Sequence, residues 1–206
     1  MDPLQLLQQY FGHSTFRTGQ QEAIDAILQQ KDVLAVMPTG AGKSICYQIP
    51  ALMLPGITLV ISPLISLMQD QVENLRQSGI PAACLNSSMS FEEYQQGLSG
   101  AAAGMFRLIY VAPERLTTEA FLRFAAHSTI SMITVDEAHC VSQWGQDFRP
   151  SYLEIAKLTQ QLPQRPILTA FTATATEQVK RDIIQLLGLQ DPVAISTGYN
   201  RSNLYF

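Results

Sequence analysis

The chain has 206 residues, of which 47% are hydrophobic and 15% charged, so it holds enough apolar material for a real core and is not a disordered polymer. Thirteen Lys+Arg against seventeen Asp+Glu leave a net charge of −4, and the largest basic cluster is the pair Lys180–Arg181, which excludes tight nucleic-acid binding by charge alone. Cys46, Cys84 and Cys140 are spaced for neither a disulfide framework nor a zinc site. The start Met1-Asp2-Pro3 lacks a cationic region, and Pro50, Pro55 and Gly56 interrupt the most apolar stretch, so we expect a soluble, cytoplasmic chain without signal peptide or membrane span.

Short runs rich in β-branched residues alternate with amphipathic stretches, the pattern of crossover units around a parallel sheet. Strands are expected at Asp32–Val36, Ile57–Ile61, Ala82–Leu85, Leu108–Val111, Ile130–Val135, Ile167–Phe171 and Val193–Ser196, with helices between them. Thr18-x-x-Gln21, Ser90-x-x-Glu93 and Thr174-x-x-Glu177 have the form of capping boxes and mark three expected helix starts. Such sheets bind ligands at the carboxyl ends of their strands, and there the unusual residues fall.

After the first strand comes MPTGAGKS, residues 37–44, opening a helix. A glycine-rich turn of this kind aims backbone N–H groups and a helix N-terminus at phosphate oxygens. Thr39, Gly40, Ala41 and Gly42 would form the cradle, Lys43 the point charge, and Ser44 a hydroxyl for Mg²⁺. Met37 stands where the general pattern has glycine. The strand Ile130–Val135 then delivers Asp136-Glu137-Ala138-His139; two carboxylates at the end of a buried strand need a cation, and we assign Asp136 to Mg²⁺ and Glu137 to the attacking water. The plainer reading, acids complementing a helix dipole, is worth only ~0.3–1 kcal/mol. Thr172 to Thr176 follow the sixth strand. Spacing leaves open whether these hydroxyls relay hydrogen bonds or simply cap a helix.

In order, MPTGAGKS, DEAH and FTATAT resemble the first motor domain of a superfamily-two helicase, and FRTGQQEAI, SPLISLMQDQV, APERL and DEAHCVSQWGQDFRPSY narrow the resemblance to the RecQ family. The resemblance implies a RecA-like α/β P-loop domain over residues 1–198, with a mostly parallel sheet of about seven strands and helices on both faces. Residues 199–206 resemble the lead into a second RecA-like lobe, with Ser202 where proline is more usual.

It further implies an ATP- and Mg²⁺-dependent DNA helicase of 3′-to-5′ polarity acting in recombination and repair on single-stranded and partly duplex DNA, nucleoid-associated if bacterial. Arg17 and Gln20 would contact adenine, whereas His13 replaces an aromatic common in the family. Lys43, Asp136, Glu137 and His139 form the implied catalytic set, with His139 linking the nucleotide site to Thr172 and Thr174. Ser62, Pro63, Gln69 and Arg115 would face the single strand, and Trp144, Phe148 and Arg149 belong to an aromatic loop coupling DNA contact to hydrolysis.

A single tryptophan in a polar loop needs a partner in any case, either a nucleobase or the domain's own core, while Arg149 suits a phosphate or an acidic side chain. Without a second lobe the chain is expected to bind ATP and hydrolyse it poorly. A non-enzymatic module whose DNA or partner affinity is set by ATP is the alternative, and a P-loop kinase leaves WGQDFRPSY unexplained.

Overall fold

The computed structural model describes residues 2–198; the expected lead into a second lobe, 199–206, lies outside the described residues. Seven strands form one parallel sheet in the order β3-β4-β2-β5-β6-β1-β7. They are β1 (Val33–Val36), β2 (Ile57–Ile61), β3 (Ala82–Leu85), β4 (Leu108–Val111), β5 (Ile130–Val135), β6 (Ile167–Thr172) and β7 (Val193–Ser196). Inner strands such as VLAV and LIYV read as apolar runs, and ITLVI is broken only by the buried Thr58, because helices cover both faces, so neither side of the strand meets water.

One face carries α2 (Gln20–Leu28), α3 (Lys43–Met53) and α4 (Ile65–Gln77), packed through Ile27, Tyr47 and Val72, with α1 (Pro3–Phe11) laid over α2 and α3 by Leu6 and Leu7. The other face carries α5 (Phe91–Ala102), α6 (Glu119–Ala126), α7 (Glu154–Gln161) and α8 (Glu177–Leu187), which enter the core through Leu98, Phe121, Ile155 and Ile183. Among the described residues no helix is long and apolar enough to cross a membrane.

Helix starts separate two kinds of sequence signal. Ser90 and Glu93 do form a capping box, and so do Asp2 and Gln5, whose Asp-Pro-x-Gln pattern carries the same information. The other two expected boxes are corrected. Gly19, left-handed at φ 82°, caps α2 in place of Thr18, and Thr176, whose hydroxyl accepts from Val179 N, caps α8 in place of Thr174.

At the amino end of the sheet Asp32, 3% exposed, ties three strands together. Its carboxylate accepts from Leu168 N at 2.9 Å and Gln190 N at 2.7 Å and pairs with Arg165 at 2.5 Å, while its carbonyl accepts from Val193 N. Replacing Asp32 with Ala leaves the buried Leu168 N–H without its acceptor and takes a carboxylate from Gln190 N and from Arg165, which keeps the Pro166 and Gly188 carbonyls, and should lower stability to urea by about 1–3 kcal/mol. A loss below about 0.5 kcal/mol, the range of ordinary surface substitutions, would show that this clasp is dispensable.

Candidate nucleotide site

Strands β1, β2, β5 and β6 end side by side, and the loops that follow them build the site. Met37 N continues the ladder to Thr172 O at 3.0 Å, and its side chain is fully buried against Cys46; that packing explains an apolar residue where the general phosphate-loop pattern has glycine. Gly40 and Gly42 have φ of 83° and 76°, a region costly for other residues, and Gly42 caps α3 so that Lys43 and Ser44 begin the helix. A side chain at Gly42 would also strike the Gln20 amide, since a Cβ there lies 2.5 Å from Nε2.

The loop is tied to its surroundings in three places. Lys43 Nζ donates to Met37 O at 3.3 Å, Arg17 Nη1 to Gly40 O at 2.6 Å, and Gln20 Nε2 to Ala41 O and Gly42 O at 3.2 and 3.0 Å. Gln20 Oε1 meanwhile accepts from Arg17 N. The Gln20 amide is therefore not free to read an adenine edge in this arrangement; it fastens α2 to the loop, and base contact requires these bonds to exchange. A cleft of about 530 Å³ beside it is lined by His13, Arg17, Gln20 and Ser44 among others. Thr39 stands exposed at the loop's tip.

Asp136 extends β5 by donating its N–H to Ile61 O at 2.8 Å, and its carbonyl accepts from the buried Tyr152 hydroxyl at 2.9 Å. Burial first, and the Glu137 charge second, push its carboxyl up to about 6, against the pull of Lys43 and the Ser62 hydroxyl. Lys43 and Asp136 thus feel each other's charge across the strand ends. Glu137 occupies the left-handed region at φ 49°, strain that turns its carboxylate toward His139, 3.3 Å from Nδ1. The same nitrogen lies 2.9 Å from the Thr172 hydroxyl, which donates onward to Thr174 O at 3.1 Å. His139 therefore meets Thr172 directly, and reaches Thr174 only through the Thr172 hydroxyl bonded to the Thr174 carbonyl.

Several expected DNA-facing residues are placed differently. Ser62 is 1% exposed and its hydroxyl, without a well-formed hydrogen bond, leans toward Asp136. Arg115 gives Nε and Nη2 to Asn86 O and lies over the Tyr94 ring at 4.5 Å, so it braces the loop after β3 instead of presenting its charge. Thr172 is fully buried, while Thr174 and Gln69 are exposed.

Trp144 is 76% exposed, so it does not fill the core, and Phe148 is half-buried. Their loop is held firmly. Ser142 Oγ donates to Asp182 at 2.6 Å and accepts from Trp144 N, and Gly145 passes so close to His139 O that a Cβ would lie 2.2 Å away. Arg149 pairs with Asp147 at 2.7 Å and donates to Pro63 O at 3.2 Å, joining this loop to the segment before α4. Spacing had no means of finding Tyr152 or Asp182, because their roles depend on which neighbour the fold brings to them.

The sequence profile of DEAD/DEAH box helicases matches residues 17–182. The chain belongs to this family. It is 49% identical over 202 residues to the ATP-dependent DNA helicase RecQ of Bacillus subtilis, covering 98% of this chain and 34% of that protein. It is 45% identical to the ATP-dependent helicase SGS1 of Saccharomyces cerevisiae, covering 97% of this chain and 14% of that protein. The RecQ resemblance holds over nearly the whole chain, which spans about a third of the length of the bacterial relatives. Two solved helicase structures share the fold: a hypothetical ATP-dependent RNA helicase from Sulfolobus tokodaii (TM-score 0.73, 20% identity, covering 95% of this chain and 56% of that one) and the Hef helicase domain of Pyrococcus furiosus (0.68, 23%, 91% and 39%). The domain is therefore RecA-like.

Hard oxygen donors, Ser44 Oγ and the Asp136 carboxylate, fit Mg²⁺, and a desolvated carboxyl near an under-bonded Ser62 hydroxyl is a place where a cation relieves a cost. No cluster of three His, Cys, Asp or Glu is found among the described residues. The folded Asp136 binds its proton more tightly than the unfolded one, so its contribution to stability falls as pH rises between about 4 and 6. Asp136→Asn should consequently stabilise the metal-free chain by about 1–2 kcal/mol at pH 7.5, an advantage that fades toward pH 4. Equal destabilisation at both pH values would contradict the burial argument.

Proposed function

We propose that this chain is the ATP-binding motor lobe of a DNA helicase moving 3′ to 5′ along single-stranded DNA, in proteins that serve recombination and repair. What supports it most is that the glycine-rich loop opening α3 and the buried Asp136 with Glu137 at the end of β5 follow strands of one parallel sheet, with the Lys43 charge acting on the Asp136 carboxyl.

In this reading the N–H groups from Thr39 to Gly42 cradle the phosphates, Lys43 leaves Met37 O for the β- and γ-phosphates, and Arg17 and Gln20 turn to adenine with His13 nearby. Ser44 and Asp136 hold Mg²⁺, which when bound offsets charge building on the transferring phosphoryl group. Glu137 accepts a hydrogen bond from water and takes its proton as the water oxygen bonds to the γ-phosphorus and the bond to the ADP oxygen breaks. His139 and Thr172 pass the state of Glu137 to Thr174, and Trp144, Phe148, Gln69 and Pro63 line the side that meets DNA. One exposed ring stacked on a base is worth ~1–3 kcal/mol, enough to direct binding in a chain of net negative charge.

Taken as these 206 residues alone, the lobe is expected to bind ATP yet turn over slowly, because an arginine supplied from another lobe is worth about 10³–10⁵ in rate. Glu137→Gln should lower DNA-stimulated phosphate release by about 10²–10⁴-fold while leaving nucleotide-analogue binding intact. Unchanged release in that variant refutes the catalytic assignment, and absence of any turnover with DNA in a two-lobed polypeptide containing this chain favours an ATP-switched binding module.

A further inference from the structure

Gln48 is the one polar residue of α3 after Ser44, flanked by Ile45, Cys46, Tyr47 and Ile49 and itself 3% exposed. It lies one helical turn after Ser44, on the same face. Its Nε2 donates twice, to Gln71 Oε1 on α4 and to the Tyr110 hydroxyl on β4, both at 3.0 Å. Both amide hydrogens are used, and Tyr110, whose phenol burial pushes up to about 12, remains neutral as the acceptor.

Burial alone does not call for this amide, since α3 through Tyr47 and α4 through Val72 already place apolar side chains in the core on the same sheet face. A satisfied buried bridge instead sets one relative position for two helices. The bridge also borders the nucleotide cleft: Gln48 and Gln71 line it together with Ser44, Arg17 and Gln20. Helix α4 has a second face. Gln69, two residues from Gln71 and so about 200° around the helix, points to solvent, and the helix begins just after Pro63, whose carbonyl accepts from Arg149.

We propose that the Gln48–Gln71 bridge is a positioning device that transmits occupancy of the phosphate loop, through α3, to α4 and hence to the surface at Gln69. The proposal rests on the nucleotide reading given above. Phosphates that draw on Lys43 and the first turn of α3 order that helix, and the bridge makes α4 share the change; without it the two helices respond separately.

Hydrogen exchange of the chain with and without a non-hydrolysable ATP analogue and Mg²⁺ tests this. The parent should show slowed exchange at the phosphate loop and also along α4, by a factor in the 5–150-fold range typical of coupled sites. Gln71→Met should keep the loop protection and lose the ligand-dependent protection of α4, whereas Gln71→Glu, which retains an acceptor for Gln48, should restore it. Comparing each variant with its own ligand-free state removes any general loosening of the helix, which a merely structural role would produce without altering the difference. Ligand-dependent protection of α4 that survives Gln71→Met, or is absent from a parent whose loop is protected, overturns the bridge. No protection at the loop at saturating analogue overturns instead the nucleotide reading on which it stands.

Discussion

A carboxylate fixed at the end of a buried parallel strand organises this molecule's chemistry. Asp136 is held by its own backbone, bonded on one side into β2 and on the other to Tyr152, so it cannot swing away from the electrostatic cost of its position. Lys43 and the Ser62 hydroxyl reduce that cost without removing it. A site that keeps a charge partly unsatisfied is ready for a cation, and the phosphate loop beside it is ready for the anion that accompanies one.

Around this centre, backbone geometry does much of the positioning. Left-handed glycines at 40 and 42 turn the loop, a left-handed Glu137 aims its carboxylate at His139, and a glycine at 145 lets the Trp144 loop pass against the His139 carbonyl. The consequence is a continuous set of contacts from Glu137 through His139 to Thr172, with the aromatic loop anchored on the same segment. The Glu137–His139–Thr172 contacts and the outward-facing ring thus share supports.

The strands were readable in the sequence because a parallel sheet covered on both faces leaves mostly apolar runs; the residues placed on β1 and β6 differ from the expectation by one position at an end. The phosphate loop and the acidic pair were readable because their chemistry needs particular side chains directly after a strand. What spacing does not encode is direction. Thr18 and Thr174 have the composition of caps, but a glycine and a later threonine hold those positions. Ser62 and Arg115 lie in the expected segments, yet one turns inward to a carboxyl and the other to a main-chain carbonyl. Gln20 sits in the cleft with its amide already engaged, and Gln48 gave no signal because a buried amide in an apolar helix looks like noise until its two acceptors are seen.

The most direct measurement is a crystal structure of the chain with a non-hydrolysable ATP analogue and Mg²⁺. Ser44 Oγ and the Asp136 carboxylate should lie on one ion, with Lys43 Nζ moved from the Met37 carbonyl to the terminal phosphates and Glu137 facing the γ-phosphorus. An analogue bound elsewhere, or an ion that leaves Asp136 unengaged while phosphates fill the loop, would contradict that arrangement.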